Sequence, residues 1–269
     1  MKKVIASLMF MLATNVAVAD PIVDAVANDA RPAQQRLRDE FRHPQQTLRF
    51  FGIKPEMTVV EIWPGGGWYS NILAPMLKEK GEYYAAHFYV DADTSAYFAN
   101  SRKGYEEKVA NFAPYKNVKM TTFHPTEMND IAMEGKADRV LTFRNIHNWY
   151  MRQGNEGVEK AFQQFFNALK KGGELGVVEH RLPESAPVAM QKTSGYMKQS
   201  YVIQVAQKAG FKLVAESEVN ANPRDTADHP KGVWTLLPRL RLGEQDKEKY
   251  MAIGESDRMT LRFVKPSDK

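Results

Sequence analysis

From residue 50 onward the chain alternates two hydrophobic rhythms. Short apolar runs bounded by turn residues predict strands over 58–63, 82–89, 118–123, 137–143, 174–179, 211–219 and 259–264. Between them lie segments of helical length, predicted over 68–80, 95–112 and 201–209, the last closed by Gly210. The clearest helix is "VEKAFQQFFNALKKGG", where Phe162, Phe165, Phe166 and Leu169 recur at helical spacing, Lys170 and Lys171 follow, and Gly172 terminates. A Phe stripe of this kind is core, not a ligand box. Seven strands separated by helices imply an α/β fold, with one mostly parallel sheet covered by helices on both faces.

Three stretches break the rhythm. Residues 20–48 are polar and rich in Arg and Gln, punctuated by Pro32 and Pro44, and predict a short helix near 34–41 packed as an extension across the main domain of residues 49–269. Residues 180–195 and 220–250 are long, Pro-containing loops. Loops of this length in a compact domain carry function or are disordered. The first leaves a strand's carboxyl end directly, where ligands sit in open α/β sheets. Trp234, Leu236 and Leu237 predict that the second packs down.

Composition narrows the classes. Lys2 and Lys3, the apolar run after them and Ala17-Val18-Ala19 have the three parts of a secretory signal peptide, giving a leader at residues 1–19 and an exported, periplasmic protein with no stable membrane insertion after cleavage. There are no cysteines, which excludes disulfides, thiolate metal sites and a Cys nucleophile. Removing the two leader lysines takes the formal charge from +5 to +3. The charges are interspersed, so nucleic acid is not an expected partner; a small-molecule substrate is.

The stretch "VVEIWPGGGWYS" joins an apolar strand to a helix through Gly65, Gly66 and Gly67. Glycines admit close backbone approach and positive φ, and the helix start offers free N–H groups. The order of segments resembles class I S-adenosylmethionine-dependent methyltransferases, whose first strand ends in an acid and a glycine loop. Glu61 takes the acid position, Gly65 and Gly67 the second and third glycines, and Trp63 the place of the first. "ADRVLTFRNIHNWY" is similar to the family's fourth strand and the loop after it. "LKKGGELGVVEH" and "AQKAGFKLVAESE" are similar to later elements. Three stretches, "EIWPGGGWYS", "NPRDTADHPKGVWTLLP" and "GESDRMTLRFVKP", further resemble an exported group of such proteins. The resemblance implies a single Rossmann-like methyltransferase domain with S-adenosylmethionine as cofactor, touching Glu61, Trp63, Gly65, Gly66, Gly67, His87 and Asn145.

The chain also departs from that pattern. The residue ending the second strand, which in the family is an acid holding the ribose hydroxyls, is His87. After the third strand, near the adenine in the family, stand His124 and Glu127. Trp63 in a glycine's place either shapes the pocket or closes it. His147 and His180, each just past a strand's carboxyl end, are the candidate bases, with helix capping and space filling as the plain reading of His147 and Trp149. Trp149, Tyr150, Arg181, Tyr196, Asn222 and Arg224 are candidate substrate contacts. Asp225, Asp228 and His229 resemble a metal set, but a lid held by Arg224–Asp pairing is preferred and no metal is expected. The function expected is methyl transfer to a small molecule. The alternatives are a ligand-binding module on the same fold and a hydrolase built on the insertion.

Overall fold

The computed structural model describes residues 20–127 and 131–267. The predicted leader lies outside the described residues. Four short helices open the chain: α1 (Pro21–Ala27), α2 (Ala33–Arg36), α3 (Asp39–Arg42) and α4 (Pro44–Phe50). Then follow β1 (Thr58–Ile62), α5 (Ser70–Leu77), β2 (Glu82–Phe88), α6 (Ala96–Asn111), β3 (Val118–Phe123), β4 (Ala137–Phe143) and α7 (Ile146–Ala168). The remainder is β5 (Leu169–Leu182), β6 (Met197–Lys198), α8 (Gln199–Lys208), β7 (Lys212–Ser217), α9 (Lys247–Ile253) and β8 (Arg258–Val264).

The sheet order is β3-β2-β1-β4-β5-β8-β7, with β6 pairing β5 off this path. β3, β2, β1, β4 and β5 are parallel, and β8 runs antiparallel to both β5 and β7. The seven predicted strands are all present. Met197–Lys198 adds an eighth, too short to leave a periodic signal. β1 lies inside the sheet, paired in parallel to β2 and β4, and Val59, Val60, Glu61 and Ile62 are all buried. A strand covered on both faces reads as one apolar run, which is why it was legible.

Two cores fill the faces. Phe162, Phe165, Val158 and Val202 bring α7 and α8 onto one side. Ile72, Leu73 and Leu77 of α5 pack on the other, together with Ile22, Val26, Leu48 and Phe51 of the amino-terminal helices. The extension is therefore a full part of that layer. α7 begins earlier than the Phe stripe indicates, because Gly154 (φ 67°, ψ −156°) joins two helical stretches across a kink. In consequence the "NIHNWY" stretch is the first turns of a helix, not a loop. The two long loops lock together where a side chain on Gly232 would collide with the Ser194 carbonyl, and Val233 N–H donates to that same oxygen at 2.8 Å. Among the described residues, no helix is long and apolar enough to cross a membrane.

Candidate functional site

The strand order reverses between β1 and β4, and a parallel sheet offers its ligand crevice at the carboxyl ends beside that point. Asn145, one residue before α7, ties the two ends together by donating to the Ile62 carbonyl at 2.8 Å and to Thr142 Oγ1 at 3.2 Å. Its amide is thus engaged by the protein itself.

The glycine turn is held from below. Glu61 is buried and accepts from Ser70 Oγ at 3.0 Å and from the Tyr83 hydroxyl. Burial raises its pKa from 4.5 to about 7, against the lowering effect of those two hydrogen bonds. Gly67 (φ 80°) has no room for a side chain, because a Cβ would meet the Tyr115 hydroxyl at 2.6 Å. Gly65 and Gly66 face open space. Beside the turn, Lys108 Nζ donates to the Gly66 carbonyl at 2.6 Å, and a groove of about 480 Å³ lies between α6 and the extension, lined by Ala30, Pro32, Asn71, Gly104 and Lys108 among others.

His87 does not present a free nitrogen. Phe88 N–H donates to its Nδ1 at 2.9 Å, so Nε2 carries the proton and donates to the Gly65 carbonyl at 3.1 Å. Burial lowers its pKa to about 4, against the Gly65 bond, so the ring is neutral. Both nitrogens hold the turn to β2, so neither stands free for the expected ribose contact.

Trp63 answers the question its position posed. At φ 48° its side chain turns off the strand and runs across the ends of β2 and β3. Its ring centroid lies 4.9 Å from Phe88, 5.8 Å from Phe98, 5.9 Å from Phe123 and 5.7 Å from Trp149. Nε1 donates to the Phe123 carbonyl at 2.9 Å, and only 9% of the residue is exposed. That wedge is where the resemblance puts the nucleoside, next to the residues ending β2 and following β3. The outer faces of Gly65 and Gly66 fit an approaching ligand; the wedge filled by Trp63 does not fit an adenosine as it stands. Trp149, fully buried in the same aromatic cluster, is core and not a substrate contact. His124 stays near the end of β3, where its Nδ1 lies 3.2 Å from Thr126 Oγ1.

The two candidate bases meet. His147 at the start of α7 and His180 near the end of β5 have ring centroids 5.2 Å apart. Glu179, which the sequence reading missed, organises them. Its buried carboxylate accepts from Ile146 N–H at 2.6 Å, His180 N–H at 2.8 Å and His147 Nδ1–H at 2.9 Å. A carboxylate at a helix start is favoured by the unpaired N–H groups there. The bond at Nδ1 leaves His147 Nε2 as the acceptor nitrogen, 3.0 Å from the Asn148 amide. His180 Nδ1 lies 2.5 Å from Ser256 Oγ. Burial holds the His180 pKa well below 6.5, reinforced by His147, Arg144, Arg258 and Arg42, so this imidazole is neutral at pH 7. Donor atoms of His147, Glu179 and His180 lie within 4.8 Å of one another, but the same arginines oppose a cation there.

The other predicted contacts are mostly spent on structure. Arg181 makes bidentate pairs with Glu218 (2.8 and 2.7 Å) and Asp257 (2.8 and 3.0 Å), fixing loops to β5. Asn222 donates to the Ile253 and Glu255 carbonyls at 2.8 and 2.6 Å. Tyr150 is half-buried against Tyr201. Tyr196 is fully buried, 6.1 Å from His180 between centroids, and its hydroxyl reaches Asp225 at 3.0 Å. Asp225 in turn pairs with His229 Nε2 at 2.8 Å, while Asp228 accepts from Thr226 Oγ1. Arg224 is exposed and forms no ion pair among the described residues, so Tyr196 and His229 hold this loop in place of the expected Arg224–Asp pairing. Trp234 comes within 6.1 Å of His147, forming one side of the site.

Arginines complete the surroundings. Arg144, at φ 61° directly after β4, is half-buried and anchored by its N–H to the Val178 carbonyl at 2.7 Å. Arg38 and Arg42 of the extension and Arg258 of β8 meet at Glu255, at 2.6, 3.4 and 3.3 Å. Burial pushes the Glu255 carboxyl up, and Arg42, Arg258, Arg144 and Arg38 more than reverse this, holding it at about 2.

No protein-family model and no curated protein matches this chain. Solved structures do. A SAM-dependent methyltransferase from Aquifex aeolicus is 20% identical, with 76% of this chain and 94% of that one covered and a TM-score of 0.52. The putative sarcosine dimethylglycine methyltransferase from Galdieria sulphuraria is 12% identical over 91% and 90% of the two chains, with a TM-score of 0.56. The [4+2]-cyclase SpnF is also 12% identical, over 92% and 93%, with a TM-score of 0.56. The fold is therefore the α/β Rossmann-like methyltransferase fold. SpnF, a [4+2]-cyclase, illustrates that this fold is not tied to one reaction.

Proposed function

We propose that this chain is an S-adenosylmethionine-dependent methyltransferase that acts on a small-molecule acceptor after export by the leader at residues 1–19. The observation that carries the reading is the His147–Glu179–His180 group. It stands at the carboxyl ends of β4 and β5, and Asn145 just before α7 bonds the end of β1, which leads into the glycine turn of a methyltransferase fold. When bound, the cofactor supplies a methyl group already activated on its sulfonium. The protein's part is then alignment and proton management. Glu179 fixes the His147 ring and the first turn of α7. His180, neutral at pH 7, takes the proton that the acceptor gives up. Admission of the nucleoside requires the Trp63 indole to leave the wedge between β2 and β3.

That requirement favours a second reading, in which the indole stays and the protein binds a small ligand without transferring methyl groups. Four ring contacts and one hydrogen bond hold Trp63 where it is. Calorimetry with S-adenosylmethionine and S-adenosylhomocysteine on the mature protein and on Trp63→Gly separates the two. Micromolar binding to the wild type supports the methyltransferase. Binding that appears only in Trp63→Gly, or in neither protein, supports the module. Under the first outcome, His180→Ala lowers turnover and leaves cofactor affinity nearly unchanged; equal loss of both removes His180 from the proton path.

A further inference from the structure

The arginines around Glu255 exceed what holding the chain together requires. Arg258 is satisfied: its Nη2 donates to the Phe41 carbonyl at 2.5 Å and its Nε to the Ser256 carbonyl at 3.1 Å, while Nη1 faces Glu255. Arg38 and Arg42 each spend Nε on Glu255. Beyond that, Arg42 Nη1 and Arg38 Nη2 are buried with no acceptor, on a residue only 2% exposed in the case of Arg42. The Arg144 guanidinium makes no hydrogen bond or ion pair among the described residues. Three guanidiniums thus share the Glu255 carboxylate while Arg144 acts on it only through its field, leaving three net positive charges among these five groups in a largely dry place.

Such an excess is costly unless something offsets it. Like charges close together in a poorly screened interior repel, and a buried donor without an acceptor adds the cost of its lost hydration. The arginines register this in their own ionisation: burial and then Arg144 hold Arg42 well below its usual pKa, and burial lowers Arg144 to about 10. Arg42 also lies over the Trp68 ring at 4.6 Å, so the glycine-turn segment backs the cluster. Arg144 is held at φ 61°, in the left-handed region that residues with a side chain rarely adopt, close enough to His180 for its charge to act on that ring. Strain at a charged, half-exposed side chain next to candidate bases marks a place built for a ligand. Planar guanidinium forks with free N–H groups match an oxyanion.

We propose that Arg144, with the unpaired N–H groups of Arg42 and Arg38, binds the carboxylate or phosphate of a small-molecule acceptor and directs its reacting group toward His180. Assigning the anion to the acceptor rests on the methyl-transfer reading; the anion site itself does not. Its occupant offsets the cluster's excess charge, and the amino-terminal extension thereby becomes part of the substrate site.

The test uses the mature chain, with inorganic phosphate and benzoate as probes and sodium chloride at matched ionic strength as control. The expected result is a saturable rise in thermal midpoint and a calorimetric signal with phosphate or benzoate, absent with chloride. Arg144→Gln weakens that binding at least tenfold. Arg144→Lys, which keeps the charge but not the fork, weakens it by a smaller factor and stands in if Arg144→Gln does not fold. Absence of a saturable response to both probes, or an unchanged response in the Arg144 variants, overturns the site. S-adenosylhomocysteine distinguishes the source of the anion. If it displaces phosphate, the anion is the cofactor's own carboxylate and the acceptor assignment falls. If both bind together, the acceptor assignment stands. If phosphate binds through Arg144 and S-adenosylhomocysteine does not bind at all, the anion site survives, whereas the acceptor assignment falls with the methyl-transfer reading.

Discussion

Replacing Glu61 by Gln isolates one buried titration at the root of the glycine turn. In the folded chain burial raises this carboxyl from 4.5 to about 7, while in the unfolded chain it titrates near its ordinary value. Between these values the unfolded state has released a proton that the native state still holds, so stability falls as pH rises. The stabilising contribution is fully present below about pH 4.5, and the cost is complete once pH exceeds about 7. For a shift of this size the loss between pH 5 and pH 8 is roughly 2–3 kcal/mol. Glutamine keeps the shape and an acceptor oxygen for Tyr83 and Ser70 but never ionises. Urea unfolding of both proteins at several pH values reads the difference, because every other titration is common to the pair and cancels. Glu61→Gln gains stability relative to wild type by that amount on going from pH 5 to pH 8. Parallel stability curves for the two proteins over that range would refute the reasoning, since they would mean that Glu61 is solvated well enough to ionise normally.

The remaining predictions concern the groups around it. Trp63→Ala removes a ring that four aromatics pack against and strands the Phe123 carbonyl, so urea unfolding shows a loss of about 3–5 kcal/mol; a loss under 1 kcal/mol is incompatible with a filled wedge. His87, with its pKa lowered from 6.5 to about 4, contributes stability that is complete above pH 6.5 and lost as pH falls toward 4. His87→Gln therefore flattens that acid limb, and a histidine NMR titration identifies the imidazole that stays neutral with Nε2 protonated, unless the ring titrates normally near 6.5. Glu255→Gln leaves Arg38, Arg42 and Arg258 without their shared carboxylate and destabilises by about 3–5 kcal/mol, measured by the same unfolding assay. No change would mean that the cluster is solvated.

The sheet was legible because its parallel strands are buried on both faces, and continuous apolar runs such as Val59 to Ile62 carry that fact locally. The site was legible only where one residue carried its own signal. His147 and His180 stand out as rare residues at strand ends, and their meeting follows from β4 and β5 being neighbours. Glu179 belongs to an ordinary "VVEH" strand, and its role depends on the α7 start arriving above it. Trp149 takes its space-filling alternative for the opposite reason. An aromatic after a strand end looks like a pocket wall, but the helix begins at Ile146 and turns the ring into the core. Nothing local distinguishes these outcomes, because each is decided by a contact between segments far apart in the chain.

The arginine cluster carries that point furthest, and it connects the glycine turn to the proposed chemistry. Its members come from residues 38, 42, 144 and 258, on the extension, after β4 and at the start of β8, so no window of sequence contains the charge excess. What unites them is the extension's docking. Gln35 accepts from Trp68 Nε1 at 3.2 Å through its carbonyl and from Asn71 Nδ2 at 2.8 Å through its side chain, fixing α2 and α3 against the turn that leads into α5. Phe41 then seats on Gly254, where any Cβ would meet its ring at 2.7 Å, and brings Arg38 and Arg42 to the Glu255 carboxylate. The amino-terminal extension thus supplies two of the three guanidiniums paired with Glu255, and one of them, Arg42, acts on His180. A neutral imidazole surrounded by positive charge is a weak proton acceptor. An anion seated on Arg144 offsets that field, so the group that would recognise the acceptor would also make His180 more basic when the acceptor is in place.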